Sequence, residues 1–448
     1  MIMSKMKTPI CDFVKKYADS SAVRLHMPGH KGVGSLGIEA LDITEIDDAD
    51  VLYRSHGIIR ESEENAAALF GSARTVYSTE GSSLSIRAML YLACLWAREN
   101  GKRPHILAGR NAHAVFMYAA AMLDFDVTWL YPEENIFSFA SVEHVEKTLA
   151  AMDEPPTALY VTSPDYLGNF AGITDLARVC KKHGVLLLVD NAHGAYTRFL
   201  TESCHPINLG ADMCADSAHK TLPVLTGGAY LHISKDAPTL FCEQSERAMA
   251  LFASTSPSYL ILQSLDAANA YLADGYRQRL ADFTAKLDEL KWTLTDLGFS
   301  LGGDEPLKLT LAPKSYGYTG DELADLLKKS GIVCEFCDAD YLVMMFTPEM
   351  GEGALERVRK ALTDIPRRAP INERVPIFTR AERAMSIREA MLAPSEVINV
   401  RDARGRILAD AGVSCPPAIP IVICGEVIGD KQIHLLEYYD TKTVRVVK

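Results

Sequence analysis

Two apolar segments that end in charged side chains constrain the fold more than any other feature of this chain. Val185–Val189 is continuously apolar and is followed directly by Asp190, and the largely apolar segment that starts at Ala211 ends at Lys220. Continuous apolar runs are typical of strands that helices cover on both faces, as in parallel sheets. In an open α/β sheet, ligands bind at the carboxyl ends of such strands. The sequence therefore predicts that a carboxylate and an amine lie in one binding site.

Strand-like and helix-like segments alternate from about residue 61 to 265. Ala158–Thr162 is predicted to be a strand, Thr174 is predicted to cap a helix that runs to His183, and Gly184 is expected to stop it. Further strands are predicted over 185–189, 211–215 and 228–233, and a helix is predicted over 86–96. This pattern predicts an α/β fold whose mostly parallel sheet lies between two layers of helices.

The remaining segments predict three further regions. Residues 1–60 mix Gly, Pro, His and Asp and are predicted to form an N-terminal arm that lies on the rest of the protein or on a partner subunit. The large domain is predicted over 61–265, a small α/β domain over 266–365, and a C-terminal α+β domain over 377–448, after a linker with prolines at 366, 370 and 376. In the small domain, helical spacing predicts one buried face, formed by Phe283, Leu287, Leu290, Leu294 and Leu297.

Composition excludes several classes of partner. The net charge of -12 argues against nucleic acid. No apolar run approaches the roughly 18 residues that a membrane helix needs, and the first residues lack the apolar core of a signal peptide. The chain is therefore predicted to be cytoplasmic, with no membrane partner.

The spacing of cysteines and histidines predicts no metal site. Among ten cysteines, Cys334 and Cys337 form the one C-x-x-C pair, and no second pair completes a zinc site. The twelve histidines show no H-E-x-x-H or similar spacing. Reduced thiols in a reducing compartment explain the cysteines.

The predicted amine and carboxylate suit pyridoxal phosphate. A desolvated lysine such as Lys220 is nucleophilic and can hold an aldehyde cofactor as a Schiff base. The pyridinium nitrogen of this cofactor needs an anionic partner, which Asp190 can provide. Each residue alone also has a plainer interpretation, because a lysine after a strand is often solvated and a buried aspartate often forms a structural ion pair or a helix cap.

Two further segments fit the same cofactor. The Gly81-Ser82-Ser83 turn precedes the predicted helix, where backbone N–H groups, hydroxyls and the helix dipole can bind a phosphate. Serine is also a common N-cap, so this motif is weak by itself. His113 follows the strand-like segment Ile106–Ala108, where an imidazole could stack on a pyridine ring or could simply be a core or surface histidine.

At this point the chain is seen to resemble the Orn/Lys/Arg decarboxylase family, which are fold-type I pyridoxal-phosphate enzymes with an aspartate-aminotransferase-like large domain. Cys415–Pro420, followed by Gly425-Glu426, is similar to the C-terminal domain signature of the family. The resemblance covers nearly the whole chain, in the short form without an N-terminal wing domain. The other matching segments are 26–32, 78–83, 190–194, 216–221 and 254–259.

The resemblance implies a role for each site residue. Lys220 would hold the cofactor, Asp190 would pair with its ring nitrogen, His113 would stack on the ring, and Ala192 and His193 would lie on the other side. Phosphate binding is implied for Ser82, Ser83, Ser217 and His219. Ser254, Thr255 and Ser256 would reach the phosphate of a neighbouring subunit, and His30 and Lys31 would lie at the active-site entrance.

The predicted activity is α-decarboxylation of a basic amino acid, with arginine favoured and lysine or ornithine possible, to give a polyamine precursor. The departures from the family pattern leave the substrate open: Asp165 stands where threonine is usual, Asn191 where glutamate is frequent, and Tyr196 where histidine is usual. Asp165, Glu335 and Asp340 are candidate anions for the distal head group by composition only.

Two other functions stay open. One is another pyridoxal-phosphate reaction, as in an aminotransferase or a β-lyase, because a fold does not fix a function. An aminotransferase needs an arginine for the α-carboxylate, and the small domain offers no clear candidate. The other is a non-catalytic paralogue, against which the intact Lys220, Asp190 and His113 argue. The resemblance also implies a homodimer or a higher homo-oligomer.

Overall fold

The structure is a computed structural model that describes residues 6–132, 139–373, 375–411, 414–415 and 419–448. Residues 416–418 of the C-terminal signature therefore lie outside the described residues. The chain divides into two compact units: the first comprises Met1–Lys102 and Ile173–Leu280, and the second comprises Arg103–Gly172 and Ala281–Lys448. Both units take part of the segment 61–265. The domain boundaries drawn from the sequence stay predictions.

Helices and strands alternate through most of the described ranges. The helices are α1 (Pro9–Ala18), α2 (Ile58–Phe70), α3 (Ser82–Glu99), α4 (Ala114–Leu123), α5 (Val142–Ala150), α6 (Ile173–His183), α7 (Pro206–Leu209), α8 (Ala218–Thr221), α9 (Thr239–Ala250), α10 (Tyr259–Ala273), α11 (Tyr276–Asp296), α12 (Gly320–Lys329), α13 (Gly351–Thr363), α14 (Ile387–Leu392) and α15 (Asp430–Tyr438). In the part of the chain that the structure describes, none of these helices has both the length and the apolar character needed to cross a membrane.

The strands fall into several pairing groups. They are β1 (Arg74–Ser78), β2 (His105–Gly109), β3 (Asp126–Leu130), β4 (Ala158–Thr162), β5 (Leu186–Asp190), β6 (Met213–Asp216), β7 (Ala229–Ile233), β8 (Ser300–Gly302), β9 (Lys308–Ala312), β10 (Phe336–Cys337), β11 (Leu342–Met345), β12 (Ser395–Asn399), β13 (Ser414–Cys415), β14 (Ile419–Pro420) and β15 (Thr443–Val447).

The first unit contains the strands β1, β7, β6 and β5, paired in that order. β6 runs parallel to β5, with Asp190 opposite Ala215. β7 is antiparallel to both β6 and β1, so the predicted strand 228–233 does not continue the parallel arrangement. Every residue of these four strands is buried. This burial confirms that the apolar run before Asp190 is covered on both faces.

In the second unit, β4, β2 and β3 form parallel pairs, and β10, β11, β9 and β8 form an antiparallel sheet. Towards the C-terminus β12 pairs with β15 and β13 pairs with β14, both antiparallel. A separate apolar core lies under these pairs and includes Val400, Leu408, Ile428, Leu436 and Val446. Such short pairs and helices give this region the α+β character that the sequence predicts.

Several predicted boundaries differ from the observed ones by a few residues. α6 begins at Ile173, so Thr174 lies inside the helix and does not cap it. Gly184 has φ +66°, the left-handed conformation that glycine adopts readily, which confirms the predicted stop. Leu297 was expected on the buried face of α11, but this helix ends at Asp296 and Leu297 is 39% exposed. The other four members of that stripe are buried.

The contrast between Leu287 and Leu297 gives a test of this packing. Leu287→Ala should lower the free energy of unfolding by about 2–5 kcal/mol, because it leaves a cavity at a fully buried position. The control Leu297→Ala should lower it by less than about 1 kcal/mol. Urea unfolding followed by circular dichroism measures both, and equal losses would contradict the packing of α11.

Candidate active site

Lys220 and His193 meet at the ends of two neighbouring strands. Lys220 lies in the short helix α8 directly after β6, and its Nζ is 3.2 Å from Nε2 of His193, in the turn after β5. His193 is buried and Lys220 is half-buried. Because β5 and β6 are parallel, their carboxyl ends bring a nucleophilic amine and an imidazole base within hydrogen-bonding reach.

Asp190 is the last residue of β5 and is 2% exposed. One carboxylate oxygen, Oδ1, accepts the backbone N–H of Ala192 at 3.2 Å. A carboxylate at this depth needs donors or a cation to remain charged. The position of Asp190 would suit a carboxylate that pairs with a buried cationic group.

An anion-binding arrangement lies at the N-terminus of α3. Ser82 begins this helix, and its Oγ accepts a hydrogen bond of 2.7 Å from Oγ of Ser217, the residue after β6. Gly81 precedes the helix with φ +72°, a conformation that favours glycine. The backbone N–H groups of the first turn and the two hydroxyls can bind a phosphate together. Ser83 occupies the second position of the same helix.

His219 lies beside this arrangement in α8 and is half-buried. Its backbone N–H donates to the carbonyl of Gly228 at 3.1 Å. Burial, and then the charge of Lys220, lower the pKa of the His219 imidazole. A neutral imidazole is therefore favoured next to the Lys220 amine.

The loop between α9 and α10 carries Ser254, Thr255 and Ser256, which are all exposed. The backbone N–H of Ser254 donates to a carboxylate oxygen of Glu80 at 2.7 Å. A cavity of about 240 Å³ lies here and is lined by Ser254, Thr255 and Tyr53 among others. These side chains are thus available to a second molecule.

The two predicted entrance residues of the arm bond within the arm. Nε2 of His30 lies 3.2 Å from a carboxylate oxygen of Asp42, and Nζ of Lys31 donates to the carbonyl of His26. Lys31 has φ +55°, so the backbone turns sharply at this point. The structure places both residues in the first unit, as it does Lys220.

Two predicted site residues belong to the second unit. His113 is the N-cap of α4, where its Nδ1 accepts the N–H of Val115 at 3.2 Å. Asp165 is 4% exposed, and its two carboxylate oxygens accept the backbone N–H and the side-chain amide of Asn169, both at 2.8 Å. Burial raises the pKa of Asp165.

The other two candidates for binding a distal cation also lie in the second unit. Glu335 is exposed and accepts the hydroxyl of Tyr166 at 2.9 Å. Asp340 is buried, forms an ion pair of 2.9 Å with Lys314, and accepts the hydroxyls of Tyr438 and Tyr439.

Sequence reasoning missed one cluster in the first unit. His205, Asp216 and His232 are fully buried, and their ligand-type atoms lie within 4.8 Å of one another. The prediction of no metal site rested on sequence spacing, which cannot reveal this group because its members lie just before α7, in β6 and in β7. Only the position of Asp216, immediately before Ser217 and close to Lys220, could have drawn attention to it.

Comparison with protein families identifies two matches. The model of the Orn/Lys/Arg decarboxylase major domain matches residues 8–298, and that of the Orn/Lys/Arg decarboxylase C-terminal domain matches residues 377–444. Among characterised relatives, the chain is 30% identical to an arginine decarboxylase of Bacillus subtilis, over 97% of this chain and 94% of that protein. It is also 30% identical to an arginine decarboxylase of Halalkalibacterium halodurans, over 95% and 92% of the two chains.

Solved structures show the same fold. The Francisella novicida lysine decarboxylase LdcF aligns with a TM-score of 0.79 and 17% identity, over 98% of this chain and 81% of that chain. The Escherichia coli constitutive lysine decarboxylase aligns with a TM-score of 0.78 and 18% identity, over 99% and 82% of the two chains. A serine palmitoyltransferase solved with its PLP internal aldimine aligns at 0.56 and 15% identity, over 80% and 83%. These alignments confirm the fold-type I, α/β prediction.

Proposed function

This chain belongs to the Orn/Lys/Arg decarboxylase family, and we propose that it removes the α-carboxyl group of arginine as CO₂ with pyridoxal 5'-phosphate as its cofactor. The observation that carries the proposal is the contact of 3.2 Å between Lys220 Nζ and His193 Nε2, at the strand ends that also carry Asp190 and Ser217. Arginine is favoured over lysine and ornithine because the full-length relatives at 30% identity are arginine decarboxylases. The product would be agmatine, a polyamine precursor.

The residues of the first unit fit this cofactor in three respects. Lys220 offers a half-buried amine for the aldehyde, Asp190 offers a buried carboxylate for the ring nitrogen, and Ser82 with Ser217 offers hydroxyls at a helix N-terminus for the phosphate. When bound, pyridoxal phosphate supplies an electron sink for the electron pair that stays on Cα after CO₂ leaves.

Three residues of the chain have separate roles in the proton transfers. His193 exchanges a proton with Lys220 Nζ, so the amine can be deprotonated to act as a nucleophile. Asp190 keeps a proton on the ring nitrogen. After CO₂ has left, Lys220 or His193 returns a proton to Cα. Burial of His193 and Asp190 excludes water from these proton positions.

The family resemblance supplies the remaining assignments, which stay predictions. Ser83 and His219 join Ser82 and Ser217 in binding phosphate. His113 stacks on the ring, and Ala192 lies against the cofactor or the substrate. The exposed Thr255 and Ser256 reach a phosphate in a second copy of the chain, and His30, Lys31 and Asp165 lie near the substrate entrance.

The arm supports a homodimer. It exposes large apolar side chains that cluster within a short stretch of sequence, with exposures between 62 and 88%: Val23, Leu25, Met27, Val33 and Leu36. Large exposed apolar side chains concentrated in one short segment are typical of an interaction surface. The proposed partner that packs against these side chains is a second copy of the chain, as the family resemblance implies.

The covalent link between Lys220 and the cofactor can be tested by absorbance spectroscopy. Lys220→Ala should abolish the near-visible absorbance of the protein reconstituted with pyridoxal phosphate, because no amine remains to bind its aldehyde. Lys235→Ala removes an exposed lysine just after β7 and should keep the band. A band that persists in Lys220→Ala, or that wild type lacks, would contradict the cofactor assignment and favour a non-catalytic paralogue.

The substrate can be tested by CO₂ release from arginine, lysine and ornithine in separate assays. Release from arginine should exceed release from either other amino acid by at least about tenfold, which corresponds to about 1.4 kcal/mol of discrimination. Faster release from lysine or ornithine would keep decarboxylation and overturn arginine. No release from any of them, with a spectral change on adding another amino acid, would favour an aminotransferase or a β-lyase.

The dimer can be tested by light scattering coupled to size exclusion. The wild type should have at least twice the chain mass, and Leu25→Asp combined with Val33→Asp should shift it to one chain mass, because charges would enter the apolar contact. Ile377→Asp changes an equally exposed apolar residue outside the arm and should leave the mass unchanged. A monomeric wild type, or a double variant with unchanged mass, would contradict the role of the arm.

A further inference from the structure

Asp216 lies at the centre of a sealed polar cluster behind the candidate active site. One carboxylate oxygen, Oδ2, lies 2.9 Å from Nε2 of His205 and 3.4 Å from Nε2 of His232. The three side chains are completely buried. The ring of Phe70 packs against both imidazoles, with centroid distances of 5.3 and 4.4 Å. Solvent therefore does not reach this carboxylate, and its charge depends on neighbouring groups.

The carboxylate has three hydrogen-bond donors from its own chain and a second imidazole nearby. His205 donates to Oδ2, the amide of Asn191 donates to Oδ1 at 2.8 Å, and the thiol of Cys214 lies 3.7 Å from Oδ1. Nε2 of His232 lies 3.4 Å from Oδ2, an electrostatic contact without hydrogen-bond geometry. A carboxylate offers about four lone-pair positions, and these donors use most of them. Burial alone would raise the pKa of Asp216, but the two histidines lower it well below its usual range.

The spacing favours shared protons over a shared metal ion. Ligand atoms around a tetrahedral zinc are about 3.3 Å apart, given bonds of about 2.0 Å. The distance between Asp216 Oδ2 and His205 Nε2 is 2.9 Å, which is the length of a hydrogen bond. Nδ1 of His232 lies 2.8 Å from the hydroxyl of Thr75, which fits a neutral imidazole whose proton is on Nε2, the nitrogen nearer Asp216. Burial is the main cause that lowers the pKa of His232.

Asn191 connects this cluster to the site. It follows Asp190, and its backbone N–H donates to the carbonyl of Ala215 at 2.9 Å, while its carbonyl accepts the N–H of Gly194 at 2.8 Å. Its side-chain amide donates to Oδ1 of Asp216. Asn191 is thus bonded to β6 twice, by its backbone N–H to Ala215 and by its side-chain amide to Asp216, at the start of the turn that carries His193 towards Lys220.

We propose that Asp216 is a positioning residue that holds the turn of Asp190 and His193 through Asn191, and that its buried charge favours the protonated form of the Lys220-bound cofactor. This inference rests on the proposed function. The groups that face Asp216 from the surrounding elements are His205 from the position before α7, His232 and Tyr230 from β7, Asn191 from the turn after β5, Cys214 from β6 itself and Phe70 from α2.

The test compares Asp216→Asn with Asp212→Asn. Asp212 precedes the same strand at its other end, where its carboxylate accepts the N–H of Leu187 at 2.7 Å, so both variants remove one hydrogen-bonded carboxylate. Asp216→Asn should lower the pH midpoint of the near-visible band by about one unit, because loss of a nearby anion disfavours the protonated form. It should also lower kcat by about tenfold with little change in KM. Asp212→Asn should change neither quantity, whatever its effect on Tm.

Asn191→Ala provides a second variant in case Asp216→Asn does not fold. It removes the connection but keeps the buried charge, so kcat should fall while the pH midpoint stays within about 0.3 unit of wild type. The inference is overturned if Asp216→Asn matches Asp212→Asn in both quantities. It is also overturned if purified wild type contains one equivalent of a divalent metal that Asp216→Asn lacks. The pH midpoint does not depend on substrate, so failure to release CO₂ would count against the proposed function alone.

Discussion

The parallel pairing of β5 with β6 is the constraint on which the rest of the candidate site depends. Both strands are buried along their whole length, so their interiors carry apolar side chains and polar ones can enter at the ends. Asp190 and Asp216 are the last residues of these two strands. A buried carboxylate without partners costs several kcal/mol, so both aspartates need donors. Asp190 accepts the N–H of Ala192 from its own turn, and Asp216 accepts the amide of Asn191 from that same turn. This turn also carries His193 to Lys220, which follows β6.

The three acidic residues that are candidates to bind the distal head group of the substrate differ in burial and in hydrogen-bond partners. The two buried ones, Asp165 and Asp340, already have partners for both carboxylate oxygens, so a guanidinium would have to displace existing hydrogen bonds. Glu335 is exposed and accepts one described hydroxyl, and exposed ion pairs contribute about 0–1 kcal/mol. None of the three therefore has the buried, forked geometry that selects arginine strongly. The preference for arginine is supported by the relatives and not by these side chains.

The sequence predicted the strands that form the site because their signal is local. The end of β5 at Asp190 and the position of Lys220 just after β6 follow from apolar runs, and the observed strands differ from the predicted ones by one or two residues. The cluster around Asp216 could not be predicted in this way. His205 precedes the short helix α7, and His232 lies in a strand that pairs antiparallel. Hydrophobic periodicity reports neither the direction in which strands pair nor which side chains meet. Leu297 shows the same limit of sequence patterns at a helix end. Its spacing continues the apolar stripe of α11, but the helix ends at Asp296 and Leu297 is exposed.

Two neighbouring carboxylates can take separate roles when their surroundings differ. The carboxylate of Asp216 is held by groups of its own chain, so it can influence a ligand through its charge but does not contact one. Asp190 accepts the N–H of Ala192 through Oδ1 and stands at the adjacent strand end, where the proposed ring nitrogen would be its cationic partner. If Asp216 were apolar, Asn191 would lose the acceptor of its buried amide, and an unsatisfied buried polar group costs about 1–3 kcal/mol. Asp216 therefore supports Asp190 indirectly, because its carboxylate accepts the hydrogen bond of Asn191, the residue that follows Asp190 and begins the turn.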